Sequence, residues 1–189
     1  MIDVKICLIG PSMAGKTYLS KLLAETASSQ ENSLYEPTAG CRIQELDRKI
    51  GQYNDRVNVQ LWDCAGDPKH QSCLPALARD VNGLILCYNC ERDDQEAELE
   101  KWYQAFANAG MGNLVTSLVR VMAIKLTPGQ TRQEFGMQGK MKKLQHTTVV
   151  LPPHPPDAKE GARIALQEID ALTEAIIARR KEKEQQGDE

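Results

Sequence analysis

No stretch of this chain is long and apolar enough to span a bilayer, and its N-terminal Met1-Ile2-Asp3 lacks the basic region of a secretory leader. An apolar segment begins almost at once, so no removable targeting peptide is expected. Positive charge is not in excess. Lys and Arg number 23 against 26 Asp and Glu, and the formal charge of −3 gives no general attraction to nucleic acid or to an anionic membrane. Internal repeats are missing. Of the six cysteines only Cys87 and Cys90 form a C-x-x-C, with no second pair at zinc-site spacing, so all six read as reduced, mostly structural thiols of a cytoplasmic protein. At 189 residues the chain suffices for one domain and is too short for two full ones.

What is present is a phosphate-binding pattern. Gly10-Pro11-Ser12-Met13-Ala14-Gly15-Lys16-Thr17 has the form G-x-x-x-x-G-K-T. The apolar, β-branched run Val4-Lys5-Ile6-Cys7-Leu8-Ile9 precedes it, and Leu19, Leu22 and Leu23 follow at helical spacing. A strand, a glycine loop and a helix N-terminus in that order make the pattern a physical site. The glycines let successive N–H groups turn toward a phosphate, and the helix end adds free donors and its positive dipole end. Lys16 is expected to reach the β- and γ-phosphates, and the Thr17 hydroxyl to ligate Mg²⁺.

Further along, residues 41–50 read as a strand, and Val57, Val59 and Leu61 alternate with polar neighbours, so the two form an antiparallel hairpin closed near residues 51–55. Residues 83–88 read as a central strand and residues 119–124 as another. Asp93 and Asp94 are placed to cap a helix whose apolar side carries Leu99, Trp102, Tyr103 and Phe106 as core. A short helix is expected over residues 70–78, disturbed or restarted at Pro75. Residues 128–145 read as a mobile insertion made basic by Lys140, Lys142 and Lys143. A last strand covers residues 147–151. Asp157 with Glu160 forms a capping box for the final helix, and its end, residues 179–189, is expected to fray. The domain is drawn at residues 1–180, with a charged tail over 181–189.

The fold expected is α/β, a six-stranded, mostly parallel sheet with one antiparallel strand and helices on both faces. Ligands in such sheets bind at the carboxyl ends of the strands. Asp63 stands at such an end, where a Walker-B aspartate touches Mg²⁺ directly or through water. Gly66 can present its N–H to a γ-phosphate, and Thr38, after Pro37, suits a second hydroxyl ligand for the metal.

With the phosphate loop, Tyr35-Glu36-Pro37-Thr38 and Trp62-Asp63-Cys64-Ala65-Gly66, the chain resembles the Ras-like small GTPases over roughly residues 3–180. A narrower resemblance rests on Trp62-Asp63-Cys64-Ala65-Gly66-Asp67-Pro68-Lys69, Ser72-Cys73-Leu74-Pro75-Ala76-Leu77, Lys101-Trp102-Tyr103 and Thr127-Pro128-Gly129. It is to the Rab-like 5 family, the small GTPase-like subunit of the intraflagellar transport B complex. The resemblance implies binding of GTP or GDP with Mg²⁺ by Ser12, Met13, Ala14, Gly15, Lys16, Thr17, Tyr18, Pro37, Thr38, Asp63, Gly66, Lys125 and Leu126. Thr17, Thr38 and Asp63 would be the metal ligands. It further implies docking on coiled-coil subunits of that complex and residence in the cytoplasm, the cilium or flagellum and its base. The protein would be a monomer when alone, with no nucleic-acid partner and no membrane anchor, since the C-terminus has no prenylatable cysteine.

Departures from the small-GTPase pattern bear on turnover. Asp67 stands where the water-orienting glutamine is usual, so no catalytic residue is assigned and hydrolysis is expected to be slow. Ser12 stands where a glycine usually admits an arginine finger. Lys125-Leu126-Thr127-Pro128 takes the place of the base-reading N-K-x-D, with Pro128 at the aspartate position and Thr147–Thr148 as compensating backbone contacts. Two other readings compete: a switching GTPase in which another residue, His70 being a candidate, or an external activator supplies catalysis, and a P-loop kinase. The missing arginine-rich lid and the hairpin between the first two parallel strands weigh against the kinase.

Overall fold

A computed structural model describes residues 2–25, 36–51, 55–110, 115–128 and 141–187. Tyr35, Lys140, Gly129 and residues 52–54, where a turn is expected, lie outside the described residues. Strand β1 (Ile2–Ile9) leads into helix α1 (Lys16–Leu23), and the hairpin β2 (Cys41–Ile50) and β3 (Asp55–Cys64) follows. A 3₁₀ turn (Pro68–Cys73) runs into α2 (Leu74–Ala78), where Pro75 occupies the first helical turn and does not break it. Next come β4 (Gly83–Asn89), α3 (Gln95–Asn108), β5 (Val119–Lys125), β6 (Gln145–Val150) and α4 (Lys159–Gly187).

The sheet order is β2-β3-β1-β4-β5-β6, antiparallel only between β2 and β3. A short hairpin must reverse the chain, whereas a longer crossover, such as that through α3 between β4 and β5, returns it parallel. Alternation along the pleat divides the core in two. Val4, Ile6 and Leu8 of β1 face one side and pack with Leu19, Ile169, Leu172 and Ile176. Cys7 and Ile9 face the other and pack with Leu77, Leu99, Trp102 and Phe106. The α3 aromatics are thus buried core. All six cysteines are free thiols, and burial pushes the Cys87 thiol up to about 12.

Four local expectations are corrected. The last helix does not fray at residue 179. It continues to Gly187 because Arg180 donates to the Asp3 carbonyl at 3.0 Å, Lys181 pairs with Asp55 at 3.7 Å, and the Lys, Glu and Gln that follow are strong helix formers. Glu160 closes no capping box. Its carboxylate takes both guanidinium bonds of Arg163, one turn ahead on the exposed face. Asp94 sits at the N-cap of α3 in a helical conformation that keeps its side chain from capping. Within the basic insertion, residues 141–143 form a 3₁₀ turn with Met141 and Leu144 buried under the sheet edge.

Helix α4 fixes the hairpin from below. Arg48 of β2 makes a two-pronged pair with Asp170 at 2.9 and 2.7 Å, and Gly51 donates its N–H to Glu174 at 3.2 Å. At its start the helix lies directly on β6, and a Cβ on Gly161 would stand 2.0 Å from the Val150 carbonyl oxygen. Gly→Ala in an open helix gains about 1 kcal/mol, but here overpacking against backbone costs more. Gly161→Ala is expected to destabilise the fold by about 1–3 kcal/mol, read as a lower urea midpoint at unchanged slope.

Candidate functional site

The parallel register carries the ends of β1, β3 and β4 to one edge, with Leu8 beside Asp63 and Ile9 beside Leu86. There the chain leaves β1 as a loop in which Gly10, Met13 and Gly15 all take positive φ, turning backbone N–H groups inward before α1 starts at Lys16. A cleft of about 480 Å³ opens over this edge. Ser12, Met13, Ala14, Gly15, Lys16, Thr17, Tyr18, Pro37, Thr38 and Gly66 all line it, and so does Leu126. Lys125 ends β5 and does not line it. Thr147 and Thr148 pair with Met122 and Ala123 inside the sheet and do not line it either, nor does His70.

Lys16 is 5% exposed and donates to the Gly10 and Pro11 carbonyls at 2.8 and 2.7 Å. These bonds stretch the side chain back over the loop, which is where a phosphate held by the loop would lie. Burial holds its ammonium below the usual lysine range, with Cys87 and Asp63 acting against that shift.

Asp63 is fully buried at the end of β3. Its Oδ2 accepts from Thr17 Oγ1 at 2.7 Å and from Thr38 Oγ1 at 3.2 Å, and the two hydroxyls stand 2.9 Å apart. Its Oδ1 has no hydrogen-bond partner. Burial pushes this carboxyl above the usual aspartate value, opposed by Thr17, Lys16 and Thr38. Three crowded hard oxygens and an unsatisfied buried carboxylate oxygen suit a small divalent cation such as Mg²⁺. Among the described residues no group of three or more His, Cys, Asp or Glu offers a competing metal site.

Gly66 follows this aspartate so closely under the loop that a Cβ would lie 2.5 Å from backbone atoms of Pro11 and Ser12. Only glycine permits that approach. Asp67 also lines the cleft, but its carboxylate caps the 3₁₀ turn, accepting from the Lys69 N–H at 3.0 Å and pairing with the Lys69 ammonium at 2.8 Å. The side-chain bond from Lys69, then its N–H, holds the carboxyl below its ordinary value. At the opposite end, the Tyr18 hydroxyl donates to Pro152 at 2.6 Å, and Pro153 lines the cavity. Sequence reasoning missed Asn89 and Arg42 as lining residues. Asn89 was findable, since it is polar at the carboxyl end of a central strand. Arg42 was not, because only its pairing opposite Asp63 brings it to the cleft.

Residues 5–125 match the family model described as Ras of Complex, Roc, domain of DAPkinase. The fold, the phosphate loop and this match define the chain as a member of the Ras-like small-GTPase class. Intraflagellar transport protein 22 of Chlamydomonas reinhardtii is 38% identical over 181 residues, covering 95% of this chain and 91% of that protein. The Danio rerio homolog is 43% identical over 112 residues, 58% of this chain and 59% of that one. The GTP-bound crystal structure of T. brucei IFT22/74/81 superposes at a TM-score of 0.73, with 26% identity over 97% of this chain and 99% of that one. The GDP-bound T. brucei IFT22 structure gives 0.67 over 95% and 99%, again at 26% identity. This chain belongs to the intraflagellar transport protein 22 family, also known as Rab-like 5.

Proposed function

We propose that this protein is a GTP- and GDP-binding subunit of an intraflagellar transport assembly that turns GTP over very slowly. The observation that carries the reading is the oxygen cluster of Thr17, Thr38 and Asp63 set beside a lysine-bearing phosphate loop. Bound there, Mg²⁺ would neutralise and orient β- and γ-phosphate oxygens. Lys16 would neutralise the same phosphates from the loop side. Thr38 comes from the β2 side and Gly66 from the end of β3, so a triphosphate would hold both segments to the loop and fix the surface they form. That surface is read as the one that docks on coiled-coil subunits corresponding to 74 and 81, in the cytoplasm and the cilium or flagellum.

Slow turnover follows from Asp67, which has no amide donor and whose carboxylate is held by Lys69. Replacing it restores the missing donor, so Asp67→Gln is expected to raise single-turnover GTP hydrolysis toward the ~10⁻⁴ per second of glutamine-bearing relatives. An unchanged rate would place the block elsewhere, with Ser12 the next position to vary. The reading as a whole is tested by denaturing gently purified protein and chromatographing the released nucleotide. Intact GTP is the expected result. GDP alone would favour genuine hydrolysis, and adenine nucleotide or an empty site would overturn the proposal.

A further inference from the structure

The loop after β5 lacks the base-reading motif, yet it is tied to the phosphate loop by side chains at the end of β4, in the β4–α3 connection and at the start of α3. Gln95 opens α3 and is 2% exposed. Its amide Nε2 donates to the Ser12 carbonyl at 2.9 Å, while its Oε1 accepts from the Asn89 N–H at 2.8 Å. Asn89 in turn accepts from the Glu91 N–H at 2.9 Å through Oδ1. The Glu91 carboxylate then takes the Leu126 N–H at 2.9 Å on Oε2 and the Thr127 hydroxyl on Oε1. The backbone adds one bond in parallel, from Cys90 N–H to the Ile124 carbonyl at 3.0 Å.

Both ends of this relay reach the cavity, Ser12 at the phosphate side and Leu126 at the other. We infer that Glu91 and Gln95 are positioning residues that lock the Leu126–Thr127 loop in register with the phosphate loop and so set the base-dependent part of nucleotide affinity. The inference rests on the nucleotide-binding reading above. The two members differ in what they hold. Gln95 is buried, so its amide also satisfies core backbone groups. Glu91 is exposed, and water could replace its bonds without loss to the core. Its two prongs therefore restrain the loop and add little to the fold. The carboxyl registers this restraint: burial raises it, but the bonds from Thr127 and Leu126 outweigh that and hold it below its ordinary value.

The test uses the full chain with Mg²⁺ and titration calorimetry against GDP and against inorganic tripolyphosphate, which has no base. Glu91→Ala is expected to weaken GDP roughly fivefold to twentyfold, with tripolyphosphate within about twofold and the ligand-free melting temperature unmoved. Thr127→Val removes one prong and should act in the same direction with a smaller factor. Glu91→Gln keeps an accepting oxygen and should fall between wild type and the alanine variant. GDP affinity within about twofold of wild type in both folded Glu91→Ala and Thr127→Val overturns the inference, and so does an equal loss for tripolyphosphate. Were Glu91→Ala to misfold, the base-selective loss in Thr127→Val decides alone. Folded wild type that bound tripolyphosphate and not GDP would instead overturn the guanine-nucleotide reading itself.

Discussion

Lys16→Met is expected to abolish measurable binding of GTP and GDP while leaving the ligand-free protein as stable as wild type or more so. The ammonium is buried, reaches back to the Gly10 and Pro11 carbonyls, and lies where phosphate charge would be desolvated with it. Removing one partner of a buried charge pair costs about 3–5 kcal/mol, near a thousandfold in affinity. In the ligand-free protein the sign reverses. Burial depresses the lysine's folded-state value below 10.5, so the unfolded chain binds that proton more readily. Stability from this group therefore rises with pH through the window between the depressed folded value and 10.5, and Met abolishes the slope. Calorimetry for affinity and thermal melts across alkaline pH read the two effects. Retention of GDP affinity within tenfold would show that phosphate is not held by this loop.

Asp63→Asn should separate metal from fold in the same way. The buried carboxylate is pushed above 3.8 by desolvation, so the folded state holds its proton more tightly than the unfolded one. Its contribution to stability is unaffected below 3.8. It falls as pH rises from 3.8 through the raised folded value, and stays low at neutral pH. Asparagine removes that penalty, and a gain of about 1–3 kcal/mol at neutral pH is expected, vanishing in acid. That gain corresponds to a rise of about 2–4 °C in melting temperature per kcal/mol. Nucleotide retention should lose its dependence on Mg²⁺, a loss of at least roughly 10- to 100-fold. Chelator-accelerated release of GDP, present in wild type and missing in the variant, checks it. A variant that still responded to chelator would remove Asp63 from the proposed metal site.

Most of the architecture was legible because local chemistry and tertiary structure agree. Val57, Val59 and Leu61 alternate because one face of β3 is buried, and the antiparallel pairing with β2 follows from the short connection. The glycine loop between β1 and α1 was legible for a similar reason. Its glycines, lysine and threonine serve a local backbone shape that strand and helix enclose on either side. Three of the four local disagreements in secondary structure fall at ends and caps. Asp94, Asp157 and Glu160 carry capping side chains, but helix boundaries depend on neighbours distant in the sequence, and α4 runs on to Gly187 because Arg180 meets β1 and Lys181 meets β3.

The sequence by itself determined the strand and helix order, the alternation that buries both faces of the sheet, and the phosphate loop with its lysine and hydroxyl, since each is set by residues adjacent in the chain. Only the tertiary structure decided that Thr17, Thr38 and Asp63 share one carboxylate oxygen, that Gly66 lies against Pro11, and that Glu91 and Gln95 connect the two ends of the cleft. Apart from the short links through Asn89, those contacts join residues 21 to 83 positions apart. Hydrogen-bond partners at such separation are chosen by how the sheet brings strand ends together, and no spacing rule along the chain encodes that choice.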